Sequence, residues 1–142
     1  PTRRQRQMCI RDSDKQVGLR FTTVYGDGAR ESMLIGKLLD GSIGYLTRHV
    51  RDFIHVDDVV EAIILLMSKD IRLLKPAYDI GTGKGNVVEA LGKLTGWEGI
   101  EVNDGDPCEA QDNTADITEL KNLGWKPTID VKDYLISKTV PH

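Results

Sequence analysis

Arg51 stands directly ahead of a rigid-looking stretch, Arg51-Asp52-Phe53-Ile54-His55-Val56-Asp57-Asp58. A guanidinium held in that way can grip a planar anion through two parallel N–H donors, the geometry that carboxylates and phosphates accept. The alternative is a solvated arginine paired with Asp52, an arrangement of little energetic consequence. Other candidate groups are weaker. Tyr134 and Lys138 have the Y-x-x-x-K spacing that puts a phenol and an ammonium on one helix face, where the cation could lower the phenol's pKa. Their place after every glycine turn, with no cofactor-binding stretch beside them, argues against catalysis. His55 with Asp57 and Asp58 suggests a metal, but a strand-to-helix junction sends those side chains in different directions, so a structural histidine and no metal are expected. His49 and His142 have no companions in the sequence, and Cys108 has no histidine close by.

The elements that must position Arg51 follow from periodicity. Phe53, Ile54 and Val56 read as a brief extended piece, with Asp57 or Asp58 as the N-cap of a helix. Val59, Ala62, Ile63, Leu66 and Met67 then recur at helical spacing, and Val60 and Ile64 widen the apolar face, which predicts burial on more than one side. Upstream, residues 17–25 are rich in β-branched and aromatic side chains and predict a strand running into Gly26-Asp27-Gly28. Residues 32–39 predict a helix closed by Asp40-Gly41, and residues 43–46 a short strand. Downstream, Lys75-Pro76 breaks the chain before a strand at residues 77–80. That strand meets Gly81-Thr82-Gly83-Lys84-Gly85-Asn86, whose glycine spacing fits neither common phosphate loop. A tight turn is favoured over phosphate binding, with Asn86 as N-cap, Glu89 completing a capping box, and Val87, Leu91 and Leu94 on the inner face of a helix. A strand over residues 98–103, a polar turn at Asp104-Gly105-Asp106-Pro107, a helix after Asp116 and a last helix over residues 131–138 complete an α/β order.

Composition bounds the partners. The chain has 142 residues, 39% hydrophobic and 29% charged, ordinary proportions for one globular domain or part of one. A formal charge of −3 gives no electrostatic reason to expect nucleic acid. No apolar run approaches membrane-spanning length, no membrane partner is expected, and two cysteines make no disulfide framework, so cytoplasm is the default location. Residues 1–13 show neither period nor cap, and residues 3–13 resemble the translation of a sequencing adapter of the kind found at the ends of metagenomic reads. They are set aside as a probable non-native scar. Without them Lys plus Arg falls by four to 15 and Asp plus Glu by one to 21, leaving −6 over residues 14–142.

Four segments in order carry a resemblance. Gly18-Leu-Arg-Phe-Thr-Thr-Val-Tyr-Gly26, Arg51-Asp-Phe-Ile-His-Val-Asp-Asp-Val59 and Tyr78-Asp-Ile-Gly-Thr-Gly83 are joined by a weaker fourth, Gly105-Asp-Pro107 with Ala115-Asp116 and Leu123-Gly-Trp-Lys-Pro127. Together they resemble the NAD-dependent epimerase/dehydratases, the extended short-chain dehydrogenases that act on nucleotide sugars. In pattern they are closest to members similar to UDP-glucuronate 4-epimerases. The resemblance implies that residues 14–142 are the C-terminal part of such an enzyme. That part comprises the late parallel strands of a Rossmann fold and a small α/β sugar-nucleotide domain. The family's G-x-x-G-x-x-G turn and its catalytic Tyr-x-x-x-Lys precede this part, so no catalytic residue is assigned here and the chain alone is expected to be inactive. By the same resemblance Arg51 would grip the substrate diphosphate, Phe53 would lie beside the nucleotide, and Asp106 would meet its ribose. Thr23 would face the sugar, Arg30 would be a further substrate contact, and Thr22 would touch the nicotinamide end of NAD. A nucleotide sugar, most simply a UDP-sugar, is the implied substrate and a homodimer the implied assembly. One departure stands out: Asn103 and Asp104 occupy the place where many members carry a second arginine for the diphosphate. The rival reading is a non-catalytic module of the same fold that binds a nucleotide or a protein.

Overall fold

The computed structural model describes residues 16–28, 33–97 and 100–139. The first expected strand is split at Thr22 into β1 (Gly18–Phe21) and β2 (Thr23–Tyr25). Then come α1 (Leu34–Asp40), β3 (Leu46–Thr47), β4 (Val50–Arg51), β5 (Phe53–His55) and α2 (Val56–Met67). A 3₁₀ turn at Ile71–Leu73 leads to β6 (Ala77–Ile80), β7 (Asn86–Val87), α3 (Val88–Leu94), β8 (Val102–Asn103), α4 (Thr118–Asn122) and α5 (Val131–Thr139).

The split at Thr22 has a topological cause. β1 pairs in parallel with β6, Gly18 opposite Ala77 through Phe21 opposite Ile80, whereas β2 pairs in parallel with β5, Thr23 opposite Phe53. Successive amides therefore serve different partners: Thr22 N donates to Ile80 O at 3.1 Å and Thr23 N to Asp52 O at 3.0 Å. β3 pairs in parallel with β8, and β4 pairs antiparallel with β7.

β5 is the wall between two apolar clusters, because adjacent strand residues point to opposite faces. Phe53 packs with Tyr25, Leu38, Leu46, Leu91 and Leu135, while Ile54 packs with Val59, Ala62, Tyr78, Ile80 and Trp125. Arg51, two residues ahead of Phe53, is thus carried on a segment fixed from both sides.

Local differences from the sequence-based expectations concern helix starts, buried helix faces and one strand. α2 begins at Val56, capped by neither aspartate: the His55 side chain accepts from Asp57 N at 3.1 Å. Val59, Ala62 and Leu66 are buried as expected, but Val60, Ile64 and Met67 lie exposed, so the helix is covered on one side among the described residues. Asn86 caps nothing, because it belongs to β7; α3 starts at Val88, and Val88, Leu91 and Gly92 face inward in place of Val87 and Leu94. Asp116 accepts from Thr118 N at 3.1 Å in a local turn ahead of α4. The strand expected over residues 98–103 shrinks to β8, with residues 98–99 outside the described set.

Candidate functional site

Three of the expected substrate residues meet in one place. Thr23 and Phe53 are register partners across β2 and β5, and both line a cleft of about 400 Å³ together with Arg51, His49, Lys37 and Glu109. The Arg51 side chain is 17% exposed and aimed from two sides. Its Nη1 donates to Val50 O at 2.9 Å, and its Nη2 lies 3.2 Å from His49 Nδ1. A guanidinium can only donate, so as a hydrogen bond that contact uses a lone pair on Nδ1. His49 is buried, and Gly105, at φ +75°, brings its backbone so close that an added Cβ would strike the imidazole ring. Glu109 completes the cluster, its Oε2 3.6 Å from Arg51 Nη2 and 3.5 Å from His49 Nδ1. His49, without companions in sequence, therefore has three in space. Folding the 104–111 loop over β4 supplies Gly105 and Glu109, and nothing local in the sequence announces it.

Asn113 is a second residue that sequence reading missed. Its Oδ1 accepts from Asp52 N at 2.7 Å and its Nδ2 lies 3.5 Å from the Thr23 hydroxyl, which ties Thr23 to the strand carrying Arg51. Its only sequence signal is a polar residue in a polar loop.

Asp52 does not pair with Arg51. It is fully buried and accepts from Thr82 N at 2.8 Å, Thr82 Oγ1 at 2.6 Å, Gly83 N at 3.0 Å and Ala115 N at 3.1 Å. The glycine-rich loop, read from the sequence as a tight turn, thus closes on a carboxylate of its own chain. Residue 81 has to be glycine for this: a Cβ there would lie 2.6 Å from Asp52 Oδ2 and 2.8 Å from Thr22 Cγ2. Asp58, expected at a helix start, is likewise buried, accepting from Thr128 N and Oγ1 and from Ile129 N at 2.9–3.1 Å.

The other expected residues do not converge on the cleft. Asp106 is exposed on its own loop and its Oδ1 accepts from Cys108 N at 2.8 Å. Thr22 lies at the partner switch, with its hydroxyl buried and lacking a hydrogen-bond partner. Arg30 lies outside the described residues. Of the cations that could replace the missing arginine, Arg48 pairs with Asp104 at 2.9 Å and approaches Glu89 at 3.9 Å. Lys93 pairs with Glu89 at 3.2 Å and Lys84 with Asp130 at 3.6 Å. The cleft's additional cation is Lys37 instead.

Tyr134 and Lys138 converge on Asp27, not on a reacting centre. The Tyr134 hydroxyl donates to Asp27 Oδ1 at 2.7 Å, and Lys138 Nζ lies 3.2 Å from the same carboxylate. Burial, then donation to Asp27, pushes the phenol up to about 12, the direction opposite to that of an activated acid–base tyrosine. His55 packs against Tyr25 and Tyr134 at ring separations of 5.3 and 5.4 Å, as befits a structural histidine. Among the described residues no cluster of three potential metal ligands occurs, and no helix is long and apolar enough to cross a membrane.

Residues 7–81 match the model of the NAD dependent epimerase/dehydratase family, and the chain belongs to that family. It is 30% identical over 135 residues to the dTDP-L-rhamnose 4-epimerase of Burkholderia thailandensis, covering 77% of this chain and 34% of that one. Among solved structures it superposes on MoeE5 in complex with UDP-glucuronic acid and NAD with a TM-score of 0.72 and 28% identity, covering 83% of this chain and 44% of that one. For the UDP-glucose 4-epimerase of Thermotoga maritima with UDP-glucose the values are 0.66 and 30%, over 84% and 43%. The chain thus spans a third to under half the length of these relatives and has the fold of the C-terminal portion of an extended short-chain dehydrogenase.

Proposed function

We propose that this chain is the substrate-binding C-terminal part of an NAD-dependent nucleotide-sugar epimerase or dehydratase. The observation that carries the reading is the meeting of Thr23, Arg51 and Phe53 in one cleft, on the side of the core that holds Phe53. Arg51 grips the diphosphate, since a braced guanidinium presents donors to phosphate oxygens without losing rotamer freedom on binding. Phe53 gives the cleft an apolar wall for the nucleotide and Thr23 faces the sugar, and the family resemblance adds Asp106 and Arg30 as further contacts. This chain's own share in the cofactor is small. The glycine loop is satisfied by Asp52, and Thr22, at the strand switch, would meet the nicotinamide end through its main chain. When bound, NAD supplies the hydride exchange at the sugar's C4. The residues described here orient the sugar for it and contribute no acid–base pair, so the 142-residue chain alone is inactive. Cytoplasmic location and homodimeric assembly belong to the same proposal.

The test is the complete reading frame. An upstream G-x-x-G-x-x-G turn and Tyr-x-x-x-Lys are expected, and the full-length protein is expected to melt at higher temperature with UDP-sugars. Absence of both motifs, or no shift with any nucleotide sugar, overturns the assignment. One observation favours a second reading, a binding module without turnover: Arg48, Lys84 and Lys93 are already paired with acids, which leaves the missing arginine without a replacement from that set. It predicts nucleotide binding without conversion of any UDP-sugar.

A further inference from the structure

The anion seat at Arg51 already has an occupant. Glu109 Oε2 stands 3.6 Å from Arg51 Nη2, on the cleft side, and 3.5 Å from His49 Nδ1. We propose that Glu109 is a resident anion: its carboxylate occupies the place on Arg51 that a phosphate of the nucleoside diphosphate takes, and the ligand binds by displacing it. This rests on the cleft reading above and adds the competition that sets its affinity.

Three features support displacement over permanent pairing. The two partners differ in freedom: the Glu109 side chain is 60% exposed, the Arg51 side chain 17%. The arginine is the fixed member, braced by Val50 O and His49 Nδ1, and the carboxylate is the one that can rotate away. Separation comes next. Neither Glu109 contact reaches hydrogen-bond length, whereas Asp52 holds its donors at 2.6–3.1 Å. A contact of this kind lets go easily, while a phosphate can close to charge-assisted distances on the same guanidinium.

The loop backbone is the third feature, because it stays in place when the side chain leaves. Glu109 N donates to Asp106 O at 3.0 Å, and Gln111 O accepts from Val50 N at 2.8 Å. Rotation of the side chain alone therefore opens the seat, with no loop rearrangement. The consequence is selective by charge: removing the carboxylate strengthens binding of an anionic nucleotide and leaves a neutral nucleoside unaffected.

Calorimetric titration of the full-length protein with UDP and with uridine tests this in the wild type, E109Q and the double variant E109Q/R51M. E109Q is expected to bind UDP about fivefold tighter, to bind uridine as the wild type does, and to keep its melting temperature, while R51M cancels the gain. UDP affinity unchanged or weakened in E109Q, or tightened equally for uridine, overturns the resident anion. If R51M still weakens UDP in that case, the cleft reading stands. Failure of both wild type and E109Q to bind UDP overturns the cleft reading and this inference together.

Discussion

Asp52 and Glu109 are both acidic residues close to Arg51, one its neighbour in sequence and one in space, and the fold treats them in opposite ways. Asp52 is fully buried, ignores the arginine beside it and accepts four hydrogen bonds from the 82–83 loop and Ala115. Glu109 is largely exposed and stands off, 3.6 Å from the Arg51 guanidinium and 3.5 Å from His49 Nδ1. Removing a carboxylate from water is costly unless donors replace the lost hydration. A buried acid must therefore be saturated, and a saturated acid cannot exchange partners. An acid left at the surface gains little from its contacts and so can be replaced by a ligand. On the proposal that Glu109 is displaced, burial with saturated donors marks the structural anion of this chain and exposure with loose contacts the exchangeable one.

The largest effect should come from the saturated side. D52A strands the amides of Thr82, Gly83 and Ala115 and the Thr82 hydroxyl at once, with an expected loss of about 3–5 kcal/mol in urea unfolding. D58A, which frees the Thr128–Ile129 connector from α2, should cost less, about 2–4 kcal/mol, because Thr128 can turn to solvent. A cost below about 1 kcal/mol for D52A would remove the distinction between the two kinds of acid.

On the cleft side the order reverses, with binding affected more than stability. R51M should leave the unfolding midpoint almost unchanged and weaken UDP about tenfold to a hundredfold, the range of one to two charge-assisted hydrogen bonds. A smaller step tests how the arginine is aimed. H49L removes the lone pair that receives Arg51 Nη2, whereas H49Q can restore an acceptor. UDP affinity should fall about fivefold in H49L and recover in H49Q. Equal losses in the two variants would mean that His49 acts through packing against Gly105 and has no part in aiming Arg51.

Much of this was legible in the sequence, for identifiable reasons. The strand at residues 77–80, α2 and the Gly41 helix end follow from short-range rules: a proline break, a 3.6-residue stripe, and a left-handed glycine at φ +89° whose N–H donates to Lys37 O. The convergence of Thr23, Arg51 and Phe53 followed from the resemblance. What stayed hidden depends on contacts between residues far apart in the chain. Asp52 reaches partners at positions 82, 83 and 115, Asp58 reaches position 128, and His49 gains Glu109. No local pattern distinguishes an aspartate that caps its own helix from one that holds a distant loop. The split at Thr22 was hidden for the same reason, since a strand's partners are not written in its own residues.

The smallest expected effect lies at the Tyr134–Asp27–Lys138 cluster, away from the cleft, and it sharpens the comparison by supplying an exposed acid that does have a short donor. The hydrogen bond from Tyr134 is the main cause holding Asp27 below the usual carboxylate range, followed by the hydrogen bond and charge of Lys138. A carboxylate with a depressed folded pKa adds stability above its unfolded value, and that stability disappears as pH falls through the folded value. For Tyr134, pushed up to about 12, the signs are those of an acid kept neutral: its contribution is complete below the ordinary tyrosine pKa near 10 and is lost as pH rises through about 12. Y134F should therefore raise the Asp27 pKa toward, but not fully to, the ordinary value, because Lys138 remains 3.2 Å away, and should leave UDP affinity unchanged. Side-chain NMR titration of Asp27 measures the shift. An unmoved Asp27 in Y134F would assign the depression to the lysine's charge alone, and would make this exposed acid a member of the loosely held class to which Glu109 belongs.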